Sequence, residues 1–129
     1  MVKIEHVALW VEDLEGMKDF YLKYFKARCG EKYINPKKKY ASYFIMFSDT
    51  TRLELMTRQD IRQPPSGENE YLGWSHIAIS LGSKERVVEL TEKLRIDGYR
   101  VAGEPRTTGD GYFESVILDP ERNRIELTV

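Results

Sequence analysis

Polar and apolar residues alternate at the start of the chain and then recur at helical spacing. Towards the end of a strand predicted over residues 2–11, every second side chain is aliphatic, and His6 lies on the opposite face. Apolar residues then return every three or four positions, which predicts a helix over Leu14–Phe25 with Asp13 as its N-cap. Three further strands are expected over 30–35, 40–47 and 52–57, so the first segment has the predicted order β-α-β-β-β.

The same order of elements is predicted again after a stretch with little apolar periodicity. Residues 59–72 contain Pro-Pro-Ser-Gly and are interpreted as a linker. A strand over 74–81, a helix over Lys84–Ile96 capped by Ser83 and ended by Gly98, and three more strands follow. These last strands are expected over 99–103, 112–118 and 124–129. The chain is therefore predicted to be a single domain, 1–129, made of module 1 (1–58), the linker (59–72) and module 2 (73–129).

The two predicted modules also share local sequence. Glu5-His6-Val7-Ala8-Leu9 matches Ser75-His76-Ile77-Ala78-Ile79 at an offset of 70 residues, and these are the only two histidines of the chain. After two additional residues, Arg52-Leu53-Glu54-Leu55 matches Arg124-Ile125-Glu126-Leu127 at an offset of 72. This self-similarity indicates an internal duplication in which each copy has one His near its start and one Glu near its end.

Composition excludes several classes of function. The chain has 129 residues, of which 41% are hydrophobic, enough for one domain with an ordinary core. Lys and Arg (20) nearly balance Asp and Glu (21), so neither nucleic acid nor an anionic membrane is an expected partner. Cys29 is the only cysteine, which excludes an intrachain disulfide and a thiolate zinc cluster and favours a reducing, cytoplasmic location. No signal peptide or membrane span is expected.

The duplicated His and Glu residues are candidate metal ligands. Alternation places all four side chains on the sheet faces that the helices leave free, and pairing of two such modules could bring them into one pocket. The four residues are His6, Glu54, His76 and Glu126. Two imidazoles with two carboxylates suit one divalent cation such as Ni, Zn, Co, Mn or Fe. Taken singly, each residue would more commonly be an ordinary core or surface side chain. The hypothesis of metal binding therefore rests on the occurrence of these residues at equivalent positions in both copies.

Other side chains leave two interpretations open. Aromatic and methionine residues in the predicted strands either line a pocket or fill the core. This group comprises Trp10, Phe44, Met46, Met56, Tyr112 and Phe113. Glu114 interrupts an apolar strand and is either an exposed edge residue or an additional acid near the pocket. The run from Lys37 to Lys39 is either a solvated turn or a clamp for an anion.

Several of these segments together resemble the vicinal oxygen chelate superfamily, which includes the glyoxalases, the bleomycin-resistance proteins and the extradiol dioxygenases. The segments are Glu5-His6-Val7-Ala8-Leu9, Leu53-Glu54-Leu55, Gly73-Trp74-Ser75-His76-Ile77-Ala78-Ile79 and Leu118-Asp119-Pro120-Glu121-Arg122-Asn123-Arg124-Ile125-Glu126-Leu127. The resemblance implies an α+β fold in which two tandem βαβββ modules form a curved half-barrel cup. It further implies a small-molecule substrate, one divalent metal ion and a homodimer.

Within the superfamily, the metal pattern is most similar to that of glyoxalase I, or lactoylglutathione lyase, whose His/Glu/His/Glu order falls on the four candidate ligands. This implies isomerisation of an α-hydroxycarbonyl or thiohemiacetal substrate through a metal-stabilised enediolate. Glu126 is then the expected main base and Glu54 the second catalytic carboxylate.

Two positions depart from the glyoxalase I pattern. Trp10 stands where that family has a glutathione-binding Arg, and Arg58 stands where it has an Asn. Both are candidate substrate-binding residues, together with Tyr112 and Phe113. A metal-free small-molecule binding or antibiotic-resistance protein, an epimerase and an extradiol dioxygenase stay open as alternatives. Whether one chain or two chains form a complete site also stays open.

Overall fold

Each half of the chain folds into a sheet covered on one face by a helix. The computed structural model describes residues 2–48, 50–62 and 72–129. The chain divides into one unit over Met1–Pro64, which contains module 1, and a second over Pro65–Val129, which contains module 2. Residues 63–71, the greater part of the predicted linker at 59–72, lie outside the described residues.

The described residues of module 1 form one helix and five strands. They are β1 (His6–Trp10), α1 (Leu14–Phe25), β2 (Arg28–Cys29), β3 (Tyr33–Asn35), β4 (Tyr40–Met46) and β5 (Arg52–Arg58). The sheet order is β1-β5-β4-β2, with β3 also paired to β4. The first and last strands, β1 and β5, run parallel, and the other pairs are antiparallel. A strand from the start of the module therefore lies beside the strand that ends it.

Two strand predictions for module 1 were wrong in their bounds. The strand expected over 30–35 is two short pieces, β2 and β3, which both pair with β4, and between them the Gly30 N–H donates to the Phe44 carbonyl at 3.2 Å. The first strand begins at His6 and not at residue 2, because its partner β5 begins at Arg52, directly opposite His6. Pairing with a neighbour thus fixes both strand ends.

The helix α1 covers the aliphatic face of the module 1 sheet. It begins after Asp13, whose carboxylate accepts a hydrogen bond from the Gly16 N–H at 3.0 Å, as predicted for an N-cap. Its buried side chains, spaced at three and four residues, are Leu14, Met17, Phe20, Tyr21 and Tyr24. These side chains form the core with apolar residues of β4 and β5, among them the fully buried Ile45 and Leu55. The opposite face of the sheet, on which the His6 side chain lies, is not covered by α1.

Module 2 has the predicted order, although the strand expected over 99–103 lies at Val101–Thr107. Its elements are β6 (His76–Ser80), α2 (Lys84–Ile96), β7 (Val101–Thr107), β8 (Phe113–Leu118) and β9 (Arg124–Thr128). The sheet order is β6-β9-β8-β7, with β6 parallel to β9. The helix has the predicted bounds, with the Ser83 hydroxyl accepting from the Arg86 N–H at 3.3 Å and Gly98 at φ 95° beyond its end. Pro105 lies in β7, where an edge strand tolerates a missing N–H.

The predicted α+β fold of two sheet-and-helix modules is confirmed. The one departure from two β-α-β-β-β orders is the interrupted strand of module 1. Neither helix in the described part of the chain has the length and apolar character needed to cross a membrane.

Candidate functional site

Parallel pairing puts the candidate ligands at equivalent positions in both sheets. In module 1, His6 lies opposite Arg52 and Glu54 follows two residues along β5. In module 2, His76 lies opposite Arg124 and Glu126 follows two residues along β9. Because side chains alternate along a strand, each Glu shares a face of its sheet with the His of the neighbouring strand. The sequence repeat therefore corresponds to a repeat in strand register.

The first half-site is formed by His6 and Glu54 in module 1. The Nε2 atom of His6 lies 3.7 Å from Oε1 of Glu54. On the other side of the ring, Nδ1 hydrogen-bonds with a carboxylate oxygen of Glu5, and the edge of the ring meets Phe44 with 5.4 Å between centroids. Hydrogen bonding to His6, aided by the nearby Arg52, holds the pKa of Glu5 below its usual range. The imidazole is thus fixed through Nδ1, with Nε2 directed to Glu54.

The second half-site is formed by His76 and Glu126 in module 2. The Nε2 atom of His76 lies 3.1 Å from Oε2 of Glu126. Its Nδ1 atom hydrogen-bonds with the Ser75 hydroxyl at 2.9 Å. In both half-sites the residue just before the His therefore engages Nδ1 while Nε2 faces the carboxylate. The two half-sites share this arrangement although Glu5 and Ser75 differ chemically.

Sequence reasoning missed Tyr40, which holds the carboxylate of the first half-site. Its hydroxyl donates a hydrogen bond to Oε2 of Glu54 at 3.1 Å. Burial raises the pKa of Tyr40, and the hydrogen bond to Glu54 adds to the shift. Alternation along β4 and β5 puts both residues on one face, but only the strand register, in which Phe44 lies opposite Glu54, brings them together. The available signals were alternation and the match of Tyr40 with Tyr112 at the offset of 72 residues.

Glu114 lies beside Glu126 and is buried, so the interpretation as an exposed edge residue was wrong. Glu114 is only 8% exposed, and its side chain hydrogen-bonds with Glu126. Burial raises the pKa of Glu114, and the adjacent Glu126 carboxylate raises it further. This is the direction expected for a buried acid beside a carboxylate, since two negative charges in contact repel. The two half-sites therefore differ, because a phenol contacts Glu54 and a carboxyl contacts Glu126.

The donor chemistry of each half-site fits part of a divalent-metal site. Metal-ligating imidazoles generally bind through one nitrogen while the other is held by a hydrogen bond, which is the arrangement of His6 and His76. Within 2–48, 50–62 and 72–129, however, no group of three or more His, Cys, Asp or Glu side chains could hold a metal ion by itself. One imidazole and one carboxylate are fewer than the four donors that zinc usually takes. A half-site alone is therefore incomplete.

The candidate substrate-binding residues of module 1 lie together. The Arg58 guanidinium carbon is 5.0 Å from the centre of the Trp10 ring, and this ring meets Tyr40 edge to face at 6.2 Å. The Trp10 residue is 39% exposed. In module 2, Tyr112 is exposed, and Nζ of Lys84 lies 5.3 Å from the centre of the Phe113 ring. An aromatic surface next to the first half-site is therefore available to a planar group.

Comparison with known proteins gives consistent similarities. Residues 3–127 match the family model described as Glyoxalase/Bleomycin resistance protein/Dioxygenase superfamily. An uncharacterized Bacillus subtilis protein, YqjT, is 29% identical over 127 residues, which cover 96% of each chain. The trypanothione-dependent glyoxalase I of Leishmania major has a TM-score of 0.77 at 23% identity, covering 99% of this chain and 86% of that one. A glyoxalase family protein of Enterococcus faecalis has a TM-score of 0.80 at 22% identity, covering 98% and 97%. At these identities the solved structures are evidence of the fold.

Proposed function

Because the chain belongs to the glyoxalase/bleomycin resistance protein/dioxygenase superfamily, we propose that it is a divalent-metal-dependent isomerase or lyase of the glyoxalase I type. Its substrate would be a small α-hydroxycarbonyl or thiohemiacetal compound, and its reaction a proton transfer between neighbouring carbons. The observation that carries this proposal is the pair of half-sites, each with a His Nε2 directed to a Glu carboxylate in the same strand register.

One complete site would combine both half-sites around one ion. His6, Glu54, His76 and Glu126 would be its protein ligands, a set that suits Ni, Zn, Co, Mn or Fe. The bound ion would act as a Lewis acid that stabilises negative charge on substrate oxygens. The two modules of a site would come from one chain, or from two chains of a homodimer that exchange modules.

The two Glu carboxylates would carry out the proton transfer between the substrate carbons. Glu126 is the proposed main base, taking the proton from one carbon and returning it to the next. Its contact with the buried Glu114 keeps a second acid beside it. Glu54, held by the Tyr40 hydroxyl, would be the more fixed carboxylate and the second catalytic group.

The activity test uses a glutathione hemithioacetal of methylglyoxal with added Ni or Zn. We expect turnover by the parent protein and a loss of at least about 100-fold for Glu126→Gln, as removal of a general base commonly causes. The matched control is Glu89→Gln, which removes an exposed carboxylate from α2 and should leave the rate unchanged. Unchanged turnover for Glu126→Gln would refute its role as the base. No turnover by the metal-loaded parent would refute the hemithioacetal as substrate.

A second candidate function is metal-free sequestration of a planar small molecule. The aromatic surface of Trp10, Tyr33 and Tyr40 favours it, because Trp10 and Tyr33 are exposed and the rings of Tyr33 and Tyr40 meet at 6.0 Å between centroids. Such a surface can bind a flat ligand without chemistry. Protein purified without chelator distinguishes the two functions. Sequestration requires that the protein lack bound metal and show no thermal shift on metal addition. The enzyme should contain bound metal and should be stabilised against heat when metal is added.

A further inference from the structure

A cationic groove lies at the end of β5, four residues beyond Glu54. It has a volume of about 440 Å³. Its lining residues are Lys38, Lys39, Arg58, Gln59 and Asp60. Three of these carry positive charge and one carries negative charge, although the chain as a whole is close to neutral. The groove is therefore a local concentration of positive charge.

The lysines, and not the arginine, supply the unneutralised charge. The Arg58 guanidinium forms an ion pair with both carboxylate oxygens of Asp60, at 2.5 and 3.1 Å. Among the residues that the structure describes, neither the Lys38 nor the Lys39 ammonium group forms an ion pair with a carboxylate. The turn that carries them is fixed, since the Asn35 side-chain oxygen accepts from the Lys38 N–H at 3.2 Å. Two ammonium groups thus face a groove whose third cation is already paired.

The groove is continuous with the first half-site along one face of the module 1 sheet. The Tyr40 hydroxyl contacts Glu54, the Tyr40 ring contacts Trp10, and the Trp10 ring contacts Arg58 at the groove. Four residues of strand separate Glu54 from Arg58, which corresponds to about 13 Å. A ligand that spans this distance would meet a carboxylate and imidazole at one end, an aromatic surface in the middle and cations at the other end.

We propose that the groove binds the anionic end of the substrate, a carboxylate or a phosphate, while the middle of the substrate crosses Trp10 and Tyr40. The position of the reactive end at the first half-site rests on the proposed function; the anion site itself does not. Lysine ammonium groups suit this task because each offers three donors on a flexible stem. The substrate class is therefore an extended acid with an apolar or planar central part.

The test measures binding in the presence of a chelator, so that neither metal nor turnover contributes. The probes are 3-phenylpropionate, 2-phenylethyl phosphate and the uncharged 3-phenylpropan-1-ol, with affinities from calorimetry at low ionic strength. We expect both anions, or one of them, to bind about fivefold more tightly than the alcohol, since an exposed ion pair contributes up to about a factor of five. A preference for the phosphate or the carboxylate identifies which acid the groove takes.

The variants separate a specific site from a general charge effect. Lys38→Gln combined with Lys39→Gln keeps the aliphatic stems and should remove the preference for anions without changing the affinity for the alcohol. Lys37→Gln is the matched control, because Lys37 lies in the same turn but does not line the groove. A Trp74→Phe background leaves Trp10 as the only tryptophan, and its fluorescence should change with each probe that binds.

Two results would overturn the proposal. One is equal affinity of the parent protein for the anions and the alcohol, and the other is an equal loss in Lys37→Gln and in the double variant. Neither result bears on metal binding, which is measured without chelator. Conversely, a protein that lacks metal and activity but prefers the anions would refute the proposed function and leave the anion site supported.

Discussion

Removal of the Tyr40 hydroxyl should weaken metal binding. Tyr40→Phe deletes one oxygen atom, and with it the 3.1 Å hydrogen bond to Oε2 of Glu54. The Glu54 side chain is only 15% exposed, so water replaces this bond incompletely. A hydrogen bond to a charged group contributes about 1.5–3 kcal/mol. Loss of a partner that orients a metal ligand commonly costs about 10- to 100-fold in affinity, which is about 1.4–2.7 kcal/mol and agrees with that range.

The assay is a calorimetric titration of Ni or Zn into chelator-treated protein. Tyr33→Phe is the matched control, since the Tyr33 ring also meets Tyr40 but its hydroxyl only accepts a long hydrogen bond of 3.4 Å from Asn35. We expect an affinity within about twofold of the parent for this control, as for a surface change of small energy. In a Glu54→Gln background, Tyr40→Phe should have little further effect, because the two residues act through one contact.

Unchanged metal affinity in a folded Tyr40→Phe protein would refute this reasoning. An equal loss in Tyr33→Phe would refute it as well, because the effect would then come from the aromatic surface and not from the hydroxyl. A thermal unfolding curve for each variant establishes that the protein is folded.

Three further predictions concern stability. Thr91→Val removes a fully buried 2.7 Å hydrogen bond to Ser115 and should lower the free energy of unfolding by about 1–3 kcal/mol in chemical denaturation, with partial recovery when Ser115→Ala is added. Glu15→Gln should destabilise the protein at neutral pH by less than about 1 kcal/mol, since the side chain is 51% exposed. Burial opposes ionisation of Glu15, but its phenol and ammonium partners outweigh this and lower its pKa, so the difference from the parent should disappear as the pH falls below the ordinary pKa of a glutamate and through the lower folded-state pKa. Lys26→Gly should raise the free energy of unfolding by up to about 1 kcal/mol, because Lys26 ends α1 at φ 52°; a decrease would contradict that reasoning.

Local signals explain why the helices could be predicted from the sequence. The bounds Leu14–Phe25 and Lys84–Ile96 depend on side-chain spacing within the helix and on the capping residues Asp13 and Ser83. All of these features lie within a short stretch of chain. The predicted helices therefore needed no knowledge of the rest of the fold.

The strand ends and the contacts around the half-sites depend on residues that are distant in the sequence, so they could not be predicted from local sequence patterns. The first strand begins at His6 only because Arg52 is the first residue of its partner, 46 positions later in the chain. The His and Glu residues of the half-sites could be proposed as a set because they occur at equivalent positions in both copies of the repeat. Tyr112 stands at the position of module 2 that corresponds to Tyr40, at the same offset of 72 residues, whereas the position that corresponds to Glu114 is Ser42. The contacts of Tyr40 and Glu114 with the half-site carboxylates follow from strand register and burial, which a single sequence does not specify.

The stoichiometry of metal binding tests the central claim most directly, which is that the two half-sites hold one ion together. Elemental analysis and calorimetry on the parent, His6→Ala and His76→Ala proteins give this number. We expect one divalent ion per chain in the parent and, in each variant, an affinity lower by at least about 100-fold, the upper end of the loss for a group that only orients a ligand. Two ions per chain in the parent, with one retained at unchanged affinity in each variant, would show independent half-sites and contradict the account.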